Sequence, residues 1–206
     1  MLAYTTDSGF ETVSLAAGTG RSWSASHAGA VSLIIGLAGP GAARLALLLM
    51  PVDFASFAAV LRDLGVSGQV RELPEPAPTA ATAAAQLGCE VGAIANSLIF
   101  RADGVPLLVM TSGAHRVLET RVAALVGASA VRRADVGSVR EWTGQAIGGV
   151  APVGHPAPIR TLVDTWLDKY DVVWAAAGTP RAVFSIGPRE LVELTSAEVV
   201  AVALVP

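Results

Sequence analysis

A chain of 206 residues is long enough for one domain with a substantial core plus an appendage. Hydrophobic residues make up 52% and charged residues 15%, with only 5% aromatic, so an ordered core of Ala, Val and Leu rather than large rings is expected. The formal net charge of −3 excludes a general attraction to phosphate, and the single Cys89 excludes an internal disulfide or a multi-thiolate metal site. One cysteine fits a reducing compartment, His27, His115 and His155 are too scattered for a zinc cluster, and any nucleic acid would have to meet a local group of the 13 arginines.

Ala28 to Ala43, AGAVSLIIGLAGPGAA, is a run of 16 uncharged residues. A membrane span needs about 20 apolar residues, and Gly39-Pro40-Gly41 would break a helix here. Arg21 is the only cation before the run, which gives a secretory signal little to start from. The folded domain is expected to begin near Met50, where Val52 and Phe57 flank an Asp53 cap as a hydrophobic staple. Phe54, Phe57, Leu61 and Leu64 share one helical face, and Gly65 stops the helix. Residues 1–49 are thus expected to be an apolar extension, disordered or the product of a misassigned start, and residues 50–206 the functional domain.

Gln69 to Leu73 reads as a short strand, and Pro74, Pro76 and Pro78 make a stiff connection. Thr79 caps the helix ATAAAQL, which Gly88 ends. Ser97 to Arg101 and Val105 to Thr111 are apolar, β-rich runs joined at Ala102-Asp103-Gly104, a hairpin signal. Helical spacing over Arg116 to Val126 stops at Gly127, SAVRRAD reads as a strand, and Val136 to Trp142 as another helix. After the glycine-rich AIGGVAPVGHPAP come the runs IRTLVD, VVWAAAG and RAVFSI, then a helix opened by Pro188 and a closing strand VVAVALV. Helices interleaved with hairpins predict an α+β fold with a mixed, largely antiparallel sheet and helices around it.

The common enzyme signatures are missing: no GxSxG elbow, no Walker-type loop, no HExxH, and no GxGxxG between strand and helix. The acids fall at caps (Asp53), turns (Asp103) and helix surfaces (Glu119, Glu190), which suits solvation better than paired-carboxylate hydrolysis. Two glycine- and proline-rich loops remain, residues 146–155 and 175–180. They read equally well as tight turns or as places where backbone N–H groups approach a ligand. His155, between Gly154 and Pro156, reads as a loop histidine with a conceivable general-base role, and Cys89 as a small, partly buried thiol.

Taken in order, TAATAAAQLG, IANSLIF, LLVMTSGAHRV, AIGGVAPVGHP and VWAAAGTPRAVF with its trailing helix give the chain from about Val52 to Leu204 a family likeness. It resembles the YbaK / prolyl-tRNA-synthetase-associated editing domain family, the free-standing aminoacyl-tRNA deacylases. The resemblance implies a mixed sheet partly closed into a barrel, no metal or other cofactor, and hydrolysis of the ester that links a wrong amino acid to the terminal adenosine of tRNA. It implies the acceptor end of aminoacyl-tRNA as substrate, Cys-tRNA(Pro) or Ala-tRNA(Pro) in type, in a cytoplasmic protein with no membrane partner, working beside prolyl-tRNA synthetase. The cleft it implies lies between the strand of Ser97, the Gly148-Gly149 loop and the Gly178 turn. Asn96, Gly148, Gly149 and Gly154 are assigned as catalytic, and Ser97, Thr111, Ser112, Pro152, His155, Gly178 and Thr179 as substrate-binding. Arg116 and Arg132 are the arginines expected to touch tRNA. One departure stands out. Editing members usually carry a lysine where this chain has Asn96, and the only lysine here is Lys169. An amide offers hydrogen bonds but no charge, a loss of about 1.5–3 kcal/mol in a charge-assisted contact. The alternatives are therefore a weak or inactive homologue that binds tRNA or a nucleotide, or a structural interaction domain.

Overall fold

The computed structural model describes residues 57–58, 61–62 and 65–203, together with the backbone of residues 2–7 and 10–15. Near the N-terminus, β1 (Leu2–Asp7) and β2 (Phe10–Leu15) pair antiparallel. The expected boundary at Met50 and the Asp53 cap lie outside the described residues. Residues 57–58 and 61–62 are helical, with Phe57 and Leu61 buried and the Phe57 ring 5.7 Å from that of Phe184. Gly65 follows with φ +75°, the left-handed conformation expected of a helix stop.

The main body runs through β3 (Val70–Glu72), α1 (Ala80–Leu87), β4 (Ile94–Ala102), β5 (Val105–Ser112), α2 (Glu119–Val126), β6 (Val131–Arg133) and α3 (Val136–Thr143). It continues with β7 (Arg160–Asp164), β8 (Val173–Ala176), β9 (Ala182–Ile186), α4 (Pro188–Thr195) and β10 (Glu198–Val200). Local chemistry sets several of these bounds. The Thr79 hydroxyl accepts from the Thr82 N–H while the Thr82 side chain caps back, and α1 ends at left-handed Gly88. Asp103 (φ 47°) and Gly104 (φ 92°) supply the two positive φ angles of the β4–β5 turn. The Asp103 carboxylate accepts from the Ser129 and Ala130 N–H groups at 2.7 and 2.9 Å, and these bonds hold its pKa below the ordinary carboxylate value.

The fold is α+β: four α-helices and an eight-stranded mixed sheet among the described residues, in the order β10-β7-β5-β4-β8-β9-β3, with β6 beside the far half of β4. Pairings β4/β5, β4/β6, β8/β9 and β3/β9 are antiparallel, and β10/β7, β5/β7 and β4/β8 are parallel. The expected closure into a partial barrel is not made by hydrogen bonds. The two end strands, β3 and β10, are three residues long, and each has a single partner.

β5 explains why its sequence reads as a continuous apolar run rather than an alternation. Leu108 and Met110 enter a core with Ile99, Val163, Leu167, Phe184 and Leu191, while Leu107 and Val109 enter a second core with Phe100, Val122 and Val202. A central strand covered on both faces has no polar side to show. Among the described residues no helix is long and apolar enough to cross a membrane.

Candidate functional site

The sheet is interrupted along one edge of β4. β5 pairs with β4 over its whole length, but on the other side β8 meets only Ile94 and Ala95, and β6 only Phe100 to Ala102. The Ile94 carbonyl turns toward β5, accepting from Gly113, and the Ile99 carbonyl turns away, accepting from Ala134. Backbone direction alternates along an antiparallel strand. Ser97 therefore directs its N–H and C=O into the break between β8 and β6.

A cavity of about 230 Å³ occupies that break. Residues 94–99 of β4 form one wall, and Pro78, Thr79 and Ala80 bring the start of α1 to another. Ile147, Gly148 and Val150 come from the long loop after α3, Trp174 and Ala176 from β8, and Arg133 with Ala134 from the end of β6. Among the described residues no Asp, Glu, His, Lys or Cys lines the cavity, and Arg133 is its only charged residue. The Arg133 guanidinium sits over the Phe100 ring at 5.3 Å, and burial on that side holds its pKa below the ordinary arginine value.

Three of the residues singled out from sequence line this cavity: Asn96, Ser97 and Gly148. The Ser97 hydroxyl rests against the sulfur of buried Met110 at 3.2 Å. The two glycine-rich loops do meet, but behind the cavity. A Cβ on Gly149 would stand 2.7 Å from both Thr179 Cα and Pro180 N, so the residue is glycine for close packing against the Gly178-Thr179 turn. Gly148, by contrast, has open space around it and φ +89°. The expected N–H donor role divides the same way: the Gly149 N–H is engaged by the Ala146 carbonyl at 3.1 Å, which leaves Gly148 as the loop glycine at the cavity.

The other assigned residues lie off the cavity lining. Thr111, opposite Asn96 in register, is 1% exposed and donates to the buried Asp164 carboxylate at 3.3 Å. Ser112 donates its hydroxyl to the Gly92 carbonyl at 2.7 Å and its N–H to Asp164 at 3.3 Å. Asp164 is further held by His115 Nδ1 at 2.8 Å and the Trp166 N–H at 3.2 Å, a buried polar knot behind the wall. Pro152, Gly154 and His155 form the stem of the long loop. His155 Nε2 donates to the Ala151 carbonyl at 2.9 Å, and burial keeps its pKa below the ordinary histidine value. Cys89 is partly buried beside α1, and burial raises its thiol pKa.

Two contributors were missed. Gln145, 3% exposed, spans the loop with its side-chain amide: Oε1 accepts from the Ala151 N–H at 2.6 Å and Nε2 donates to the Val153 carbonyl at 3.2 Å. A lone Gln after a helix-ending glycine carries no sequence signal for that role. The sequence singles out Arg132 rather than Arg133, although strand alternation offers a signal: two adjacent arginines on β6 point to opposite faces. Arg132 faces Arg101 across the strand pair and binds Glu119 at 3.3 Å, and neither Arg132 nor Arg116 lines the cavity.

Comparison with known proteins agrees with this architecture. The family model for the aminoacyl-tRNA editing domain matches residues 74–194, and the chain belongs to that family. YwhH of Bacillus subtilis (strain 168), an uncharacterized protein, is 26% identical over 130 residues, which cover 63% of this chain and 83% of YwhH. The proline–tRNA ligase of Nitratidesulfovibrio vulgaris (Hildenborough) is 34% identical over 104 residues, half of this chain but 18% of the ligase. A crystal structure of a candidate trans-editing enzyme for prolyl-tRNA synthetase is 41% identical, with TM-score 0.68 over 76% of this chain and 99% of that one.

Proposed function

We propose that this protein is a cytoplasmic, free-standing deacylase that hydrolyses the ester of mischarged aminoacyl-tRNA, of the Cys-tRNA(Pro) or Ala-tRNA(Pro) type, alongside prolyl-tRNA synthetase. The observation that carries this reading is the cavity at the break in β4, where backbone polar groups of Ser97 and the glycine of the long loop meet in a chain of the editing-domain family.

An aminoacyl ester is already reactive, so orientation of substrate and water together with N–H donors for the developing oxyanion can suffice without a nucleophilic side chain. The lining suits that chemistry, since it offers amide and hydroxyl groups and no thiol, imidazole or carboxylate. In this reading the Gly148 and Ser97 N–H groups receive the oxyanion, and the Asn96 amide orients water or the terminal ribose. The cavity is below the roughly 300–1,000 Å³ of sites for drug-sized ligands, which favours a small aminoacyl group. Methylene-sized differences there are worth only about 1–3 kcal/mol.

The second reading, a binding protein with little hydrolytic power, is favoured by the uncharged Asn96 on the cavity wall. Incubation of the purified protein with Cys-, Ala-, Ser- and Pro-charged tRNA, beside an Asn96→Lys variant, separates the two. Amino acid released by the wild type supports the deacylase; release by Asn96→Lys alone supports the binding protein.

A further inference from the structure

We infer that Arg133 is a phosphate-binding residue at the rim of the cavity, holding the phosphodiester between the last two nucleotides of a tRNA acceptor end. The inference deepens the editing reading and rests on it for the identity of the ligand.

Three arginines gather where β4, β6 and the start of α3 meet, and two of them are engaged. The Arg101 guanidinium donates to the Ser138 hydroxyl at 2.6 Å, reaches Asp135 at 3.5 Å and lies 4.8 Å over the Trp142 ring. Arg132 reaches Glu119 at 3.3 Å. The Glu119 charge also acts on Arg133, but its carboxylate accepts from the Arg133 backbone N–H at 3.3 Å, and the Arg133 guanidinium forms no ion pair among the described residues. The register explains why this one is left over. Arg133 sits opposite Phe100, so its side chain follows the face of that ring to the cavity, while Arg132 takes the other face.

A guanidinium held by stacking, in no direct ion pair among the described residues, and facing a cavity whose described lining has no carboxylate is suited to an anionic oxygen ligand. Its rigid fork matches the paired oxygens of phosphate. Partial desolvation, which also lowers its pKa, strengthens the attraction. An acidic side chain on the aminoacyl group would present the same kind of oxygens. Position favours phosphate: Arg133 is exposed at the rim, whereas Val139, Val150 and Val183 make the lining between the loops apolar.

The test compares binding of the trinucleotide CCA with that of adenosine, which has no phosphate, by titration calorimetry on wild type, Arg133→Gln and Arg133→Lys. Arg133→Gln is expected to weaken CCA at least tenfold, the lower end for a lost charge-assisted bond, and to leave adenosine unchanged. The slope of log affinity against log salt is expected to flatten by about 0.7 for one single-strand phosphate contact, with Arg133→Lys intermediate. Arg133 is exposed, so thermal melting of both variants is expected to match wild type. The assignment is overturned if wild type fails to bind CCA, if Arg133→Gln binds it unchanged, or if both ligands weaken alike. A loss confined to an aspartyl-adenosine amide would mean that Arg133 reads the amino acid, which also overturns it. CCA binding that depends on Arg133, without deacylation of any charged tRNA, would leave Arg133 in place and remove the editing reading.

Discussion

Gly149→Ala adds one methyl group where the structure has no room. Its Cβ would lie 2.7 Å from Thr179 Cα and Pro180 N, against about 3.5–4.0 Å for a comfortable contact. The obstacle is backbone, inside a turn closed by the Ala182 N–H to Thr179 carbonyl and Ala177 N–H to Ala182 carbonyl bonds at 3.2 and 2.8 Å, so it cannot rotate away as a side chain would. The long loop must shift by roughly 1 Å, an overpacking cost of about 1–3 kcal/mol. At about 2–4 °C per kcal/mol for a chain of this size, Tm is expected to fall by about 2–12 °C. Gly148 rides on the same loop, and a misplacement of that size costs about a hundredfold in rate. Gly148→Ala is the comparison. It meets nothing within 4 Å but sits at φ +89°, so it is expected to cost about 1–2 kcal/mol of backbone strain without pushing the two loops apart. Differential scanning calorimetry and single-turnover deacylation measure both effects. A Gly149→Ala protein with wild-type Tm and wild-type rate would refute the packing role given to Gly149.

Gln145→Ala strands the buried Ala151 N–H, worth about 1–3 kcal/mol when left unpaired, and frees the half-buried Val153 carbonyl, so a lowered urea midpoint is the expected result. His155 provides a pH signature. The folded protein holds it neutral with a pKa below the ordinary ~6.5, because it is buried, whereas the unfolded chain takes up the proton near that value. Stability from this group is therefore fully present above about pH 6.5 and is lost as pH falls through the folded pKa. Tm measured between pH 7.5 and 5.5 is expected to drop more steeply for wild type than for His155→Gln, and parallel curves would contradict the assignment.

Elements with local causes were legible in the sequence. The Thr79 cap, the left-handed glycines 88 and 127, the Asp103-Gly104 hairpin and Pro188 at a helix start all act within a few residues, and all lie where the sequence places them. β4 starts at Ile94, three residues before the expected Ser97, because its first residues are defined by pairing with β5 and β8, far away in the chain. The cavity was half legible for the same reason. Asn96, Ser97 and Gly148 follow from family-like motifs, but the break that exposes the Ser97 backbone depends on where two remote strands stop pairing with β4. Thr111 and Ser112 read as polar site residues because nothing local reveals Asp164, more than fifty residues on, as their partner. That Arg133 lines the same cavity as the uncharged Asn96 is likewise invisible until β6 pairs with β4.

The most direct test of the central claim is the single-turnover rate of amino acid release from Cys-tRNA(Pro) and Ala-tRNA(Pro) by the purified wild-type protein, with Pro-tRNA(Pro) and protein-free buffer as references. Release well above buffer from at least one mischarged species, with Pro-tRNA(Pro) largely spared, is the expected result. Rates equal to buffer for both mischarged species with protein in excess would contradict it.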